Sequence, residues 1–122
     1  MVPAGRTGVA DSHDVSVPTA GLELPGSLEL PRDVRGLVVF AHGSGSSRHS
    51  PRNRYVASVL HEAGLGTLLF DLLTASEAAD RENVFDIDLL ADRLLGALRW
   101  TMADPRTHAL PPCLFGASTG AA

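Results

Sequence analysis

CLFGASTGAA, residues 113–122, passes from apolar residues into the pattern G-x-S-x-G at Gly116-Ala117-Ser118-Thr119-Gly120. Directly after a buried strand, such a pattern lets the chain bend sharply into a helix and leaves the serine hydroxyl exposed at the turn, because the glycines have no Cβ to collide. The string alone is weak, since a chain with 12 glycines in 122 residues produces it by chance often enough. A glycine-rich loop with an ordinary serine is the bland alternative, and the remainder of the chain has to decide.

Upstream, Pro111-Pro112 breaks the chain just before CLFGAS enters what reads as a buried strand. GLVVFAH, residues 36–42, holds an unbroken apolar run from Leu37 to Ala41, the pattern of a strand covered on both faces. A Gly- and Ser-rich loop, HGSGSSRHS, follows it. Helix signals come next: Ser50 as N-cap, Pro51 at the first helical position and Gly64 at the stop, with Tyr55, Val56, Val59, Leu60 and Ala63 as the apolar stripe. TLLFD, residues 67–71, repeats the buried-strand pattern, and a polar loop, TASEAADREN, leads to a second helix from about Asp86 to Ala103. Leu90, Leu94, Ala97, Leu98 and Thr101 share one face of that helix, and Asp86 and Asp88 suit its positive end. Before all of this, residues 15–18 and 21–30 alternate around Pro25-Gly26 and read as short edge strands joined by a turn, while residues 1–13 read as a flexible leader. Strand, helix, strand, helix, strand with burial on both faces predicts an α/β fold with a mostly parallel sheet of right-handed crossovers, flanked by helices.

Composition bounds the function. Hydrophobic residues at 44% are enough for a globular core, and 14 acidic against 10 basic residues give a net charge of −4, which argues against a nucleic-acid partner. No apolar run approaches 18 residues, and the first residues lack the apolar stretch of a signal peptide, so the expectation is a cytoplasmic protein with no membrane partner. The single Cys113 agrees with a reducing compartment. All ten basic residues are arginine, which excludes lysine Schiff bases and the lysine of a phosphate-binding P-loop. HGSGSS is not a G-x-G-x-x-G cradle either, because Arg48 stands where the last glycine belongs.

The loop after residue 42 suits a different task. Attack by Ser118 on an acyl carbon places negative charge on the carbonyl oxygen, which preoriented N–H donors stabilise by roughly 3 kcal/mol each. One donor is expected from the backbone of Thr119, just after the nucleophile, and one from the loop after the first covered strand, where Ser44 lies between Gly43 and Gly45.

Together LVVFAHGSGSSRHSPRNRYVASVLHEAGLGTLLFDLLT and CLFGASTGAA resemble the α/β-hydrolases, in the dienelactone hydrolase-like branch that includes hydrolase domains joined to phosphoribosyltransferases. The likeness covers roughly residues 14–122. It implies ester hydrolysis through an acyl-enzyme on a small-molecule substrate, with Ser118 as nucleophile, Ser44 and Thr119 as oxyanion donors, and no cofactor. Two departures stand out. Dienelactone hydrolases proper carry cysteine at the nucleophile, and members of the family continue for about as long again, supplying the acid and the histidine of the triad. The chain is therefore expected to be an incomplete hydrolase domain ending just after the elbow, weakly stable and poorly active alone, with the CLFGAS strand left as an apolar edge.

The other candidates are weighed against plainer roles. His42 reads as a backbone-holding residue of the oxyanion loop rather than a base, His49 lies on a polar loop, and His13, His61 and His108 read as surface residues. No metal-ligand spacing occurs. Asp71 reads as a loop cap and Cys113 as a small core residue. Arg48 and Arg52, with Arg54, surround the start of the first helix, where they oppose its dipole; they serve either an anionic substrate or a solvated basic turn. Two functions remain open: a serine hydrolase, or a non-catalytic binding or assembly module completed through the exposed strand edge by another chain or a second copy.

Overall fold

The computed structural model describes residues 9–19, 21–41, 49–84 and 86–116. Its centre is β3, Gly36–Ala41, every residue of which is buried. On one side β3 pairs in parallel with β4, Leu65–Phe70, and on the other with β5, Pro112–Gly116. Two further strands, β1 (Val9–Thr19) and β2 (Leu22–Pro31), form an antiparallel hairpin whose second strand pairs antiparallel with β4. The order of the five-stranded mixed sheet is β1-β2-β4-β3-β5.

Alternate residues divide the core between the two faces. Leu37, Val39 and Ala41 of β3 with Leu68 and Phe70 of β4 point to one face, where Leu90 and Ala97 of α4 (Ile87–Ala103) join them. Val38, Phe40 and Leu69 point to the other, covered by Ala57 of α1 (Pro51–Glu62). Helices on opposite faces are what right-handed crossovers require when the chain winds first from β3 to β4 and then back across β3 to β5. α4 seats closely on β1, since a Cβ on Gly96 would collide with the side chain of Thr19.

The helix ends follow the residues that signalled them. Ser50 Oγ accepts from the Asn53 amide at 3.4 Å and Asp86 Oδ1 from the Leu89 amide at 3.1 Å. Gly64 closes α1 at φ +87°, a conformation that penalises any side chain. Arg35 also donates to the Ala63 carbonyl, putting a cation at the negative end of α1.

Several local expectations are corrected. Pro25-Gly26 is not a turn but lies inside β2; the hairpin turns at Gly21, φ +77°. Pro25 is tolerated because it lies at the end of the β2–β4 ladder, just past the Gly26–Phe70 pair, where its carbonyl still accepts from the Asp71 amide and its missing N–H removes no further rung of that ladder. Gly26 pairs with Phe70 of β4, and a Cβ there would meet Phe70 Cβ at 2.9 Å. The sheet begins at Val9, inside the segment read as a leader. The polar loop contains two short helices, α2 (Ala75–Ala78) and α3 (Arg81–Val84). α1 is rotated part-way from the expected stripe: Val56 and Leu60 pack on the core as expected, but the helix buries Asn53, Ala57 and His61 and leaves Tyr55 and Val59 exposed. The reason is polar. His61 Nε2 lies 2.8 Å from the hydroxyl of buried Thr67 on β4, a partner that apolar periodicity does not register, so His61 is a core residue and not a surface one. Finally, β5 is exposed at Pro112, Cys113 and Leu114, so Cys113 is no core residue, because among the described residues only β3 pairs with this strand.

Candidate active site

Register decides where the two motif-bearing loops start. β3 and β5 run parallel with Leu37 opposite Pro112 and Ala41 opposite Gly116. Their carboxyl ends therefore stand abreast, about 5 Å apart, on one edge of the sheet. Phe40 pairs with Leu69, which brings the carboxyl end of β4 to the same edge. Winding also reverses at β3, since β4 lies on one side of it and β5 on the other. In open α/β sheets the crevice outside the carboxyl ends at such a reversal is where ligands bind.

From this edge the chain continues from Ala41 toward Ser44 and Arg48, and from Gly116 toward Ser118 and Thr119. Those four residues, and His42, lie outside the described residues. Of the expected site residues, Arg52 is described: it occupies the first turn of α1 with its side chain exposed, and neighbouring Arg54 donates to His49 Nδ1 at 3.3 Å. Asp71 follows β4 at the same edge, where its amide donates to Pro25. His61 is not part of this place. It packs on Thr67, toward the amino end of β4, with Glu29 Oε1 at 3.8 Å, and burial lowers its pKa below the ordinary 6.5 while Glu29 opposes the shift. His108 is exposed in the segment between α4 and β5.

One polar cluster beside this edge escaped the sequence reading. Glu77 of α2 accepts from Arg93 of α4 through both oxygens, at 2.8 and 2.6 Å, and Arg93 also donates to the Leu72 carbonyl at 3.2 Å. The guanidinium, helped by the Thr74 amide and hydroxyl, holds the Glu77 pKa down at about 2, against some desolvation. A signal existed in Thr74-Ala75-Ser76-Glu77, the spacing of a capping box, which the structure forms. A lone arginine set among Leu90, Leu94 and Ala97 was the other hint.

Among the described residues no group of three or more His, Cys, Asp or Glu side chains could hold a metal, and no helix is long and apolar enough to cross a membrane.

No family model matches the chain. It is 57% identical over 109 residues to proteins of Mycobacterium tuberculosis, strains CDC 1551 and H37Rv, each named "Putative phosphoribosyl transferase"; the match takes in 89% of this chain and 25% of theirs. Among solved structures it is similar to a dienelactone hydrolase from Anabaena variabilis, with 53% identity and a TM-score of 0.87 over 90% of this chain and 53% of that one. An α/β serine hydrolase homologue from Coxiella burnetii shares the fold at 19% identity, with a TM-score of 0.73 over 89% of this chain and 53% of that one. The chain thus spans about half of the hydrolases and a quarter of the mycobacterial proteins.

Proposed function

The chain belongs to the α/β-hydrolase superfamily, in its dienelactone hydrolase-like branch, of which it spans the N-terminal half, and on that premise we propose that it carries the nucleophile and oxyanion hole of a serine esterase. The observation that supports this most is the pairing of Ala41 with Gly116. It starts both glycine-rich loops from one edge, so that a hydroxyl on one and an amide on the other can reach the same carbonyl group.

In this reading Ser118 Oγ attacks the ester carbon and its proton passes to a histidine, as in related hydrolases. The tetrahedral oxyanion is met by the backbone N–H groups of Thr119 and Ser44. Collapse expels the alcohol, which takes the proton, and water then releases the acid from Ser118. The histidine and its carboxylate partner belong to the part of a complete hydrolase that this chain does not span. The substrate is a small-molecule ester, and Arg52, at the exposed start of α1, together with Arg48, favours an anionic one.

A rival reading makes the domain a binding or assembly module completed by another chain or a second copy along β5, and the exposure of Leu114 on that strand favours it. Labelling the complete protein that carries this chain with a fluorophosphonate separates the two, because the reagent needs an activated serine. The expected outcome is one adduct, on Ser118, and loss of ester hydrolysis by at least about a thousandfold in Ser118→Ala. Labelling that is absent, or that persists in the variant, overturns the hydrolase reading. Arg52→Ala should slow anionic esters more than neutral ones; equal slowing removes the anion site.

A further inference from the structure

The outer side of α4 carries a pattern that neither the sheet nor the candidate site uses. Leu90, Arg93, Ala97 and Thr101 are the residues this helix buries. On a different arc, Ile87, Ala91, Leu95 and Met102 fall within about 80° of one another. All four are exposed, and the three large ones are so by 42, 43 and 63%. Spaced four, four and seven residues apart, they form the kind of seam by which one helix packs on another. A single exposed apolar residue needs no explanation, whereas a row along nearly the whole helix does.

The charges beside the seam say what packs there. Asp88, Arg99 and Asp92 occupy the adjoining outer flank within about 40° of one another, and all three are exposed. Within α4 they are badly matched. Asp88 and Asp92 are like charges one turn apart, which is unfavourable, and no acid lies three or four residues from Arg99. Among the described residues none of the three enters an ion pair. An antiparallel copy of the same helix mends this. With a two-fold axis midway between Ile87 and Met102, a rise of about 1.5 Å per residue puts Arg99 about 7 Å from the axis, between Asp92 and Asp88 of a second copy at about 4 and 10 Å. Each guanidinium then stands between two carboxylates of the other copy, and Leu95 meets its own counterpart near the axis. The two-fold also sets both charged flanks on the same side of the seam. A parallel pair would instead place Arg99 against Arg99.

We propose that this outer face of α4 is a self-association surface, through which two copies of the protein pair as an antiparallel, two-fold helix dimer. The face lies on the solvent side of α4 and is separate from β5, so the proposal depends neither on Ser118 nor on what completes that strand. One helix pair buries less than about 1,200 Å², the low end for specific interfaces, so the dimer is weak and sensitive to salt.

The test is sedimentation velocity on the complete protein that carries this chain, from about 1 μM to 0.1 mM. The parent should dimerise reversibly in that range, and less so at high salt. Arg99→Glu leaves only acids on the flank and Asp88→Lys/Asp92→Lys only bases, so each variant alone should dimerise at least about tenfold more weakly. An equimolar mixture of the two should regain the parental affinity, because every contact between unlike copies then joins opposite charges. Leu95→Cys should oxidise to a dimer linked at residue 95. A parent that stays monomeric throughout overturns the proposal. So do variants that dimerise like the parent, or a mixture as weak as its components, since pairing would then not run through Arg99. The substituted sites are exposed, so melting temperatures should match the parent within about a few degrees. Should a charge variant misfold, absence of the link at residue 95 overturns the proposal by itself.

Discussion

β4 and β5 flank β3, run parallel to it, and come from similar short apolar runs, LGTLLF and PCLFG. Their surroundings differ. Every residue of β4 after Leu65 is buried, whereas Pro112, Cys113 and Leu114 of β5 are exposed and Phe115 and Gly116 half-buried. β4 is paired along both edges and covered by a helix on each face; β5 is paired with β3 alone among the described residues. An apolar run records the environment a strand is built for, and here one neighbour of β3 has that environment and the other does not. Stability is thereby concentrated on the β4 side, while the loop carrying Ser118 departs from the open side.

Truncations should expose that asymmetry. Phe70→Ala, on the closed side and 1% exposed, should cost about 3–5 kcal/mol in urea unfolding, the range for deleting a buried aromatic side chain. Leu114→Ala, where the side chain is 55% exposed, should cost under about 0.5 kcal/mol in the chain of 122 residues. Repeating it in the complete protein sharpens the comparison. If the remainder of an α/β-hydrolase covers β5, the same substitution should there cost about 2 kcal/mol or more. An equal, small cost in both would mean that β5 stays an uncovered edge, and would favour the binding-module reading.

Much of this architecture was legible because single physical signals dominated. Leu37 to Ala41 is apolar without interruption, the pattern of a strand covered on both faces, so β3 and its parallel pairing with its two neighbours followed, while the antiparallel pairing of β2 with β4 did not. Ser50, Pro51 and Gly64 bounded α1 through backbone chemistry that acts locally. The reading failed where tertiary contacts outvoted local preference. Pro25-Gly26 has strong turn character, yet the departure of β4 removes the need for the proline amide and the approach of Phe70 demands a residue without a Cβ. The inward face of α1 was only partly anticipated: Val56 and Leu60 pack inward as expected, but His61 counts as polar until Thr67 is seen opposite it. At the site, the motifs named which loops matter, and what no motif could supply was register, which puts Ala41 beside Gly116. Glu77 and Arg93 were missed for a related reason, since their meaning lies in a contact between residues sixteen apart.

His61 offers the gentlest way to act on one flank alone. It joins α1 to β4 through the buried hydroxyl of Thr67. Burial holds its pKa below 6.5, so the folded state prefers the neutral ring and the unfolded chain takes up a proton first as the medium is acidified. The sign follows. The contribution of His61 is fully present above pH 6.5 and is lost progressively as pH falls from there toward the lowered folded value, with Glu29 at 3.8 Å softening the loss. Glu77, held at about 2, belongs to a separate and more acidic window, in which stability fades only as pH drops below its ordinary 4.5. Urea midpoints for the parent should therefore decline in two stages, and His61→Gln should be less stable at neutral pH but should flatten the first stage alone. A first stage that survives in His61→Gln would assign it to another group and leave α1 anchored to the closed flank by packing only.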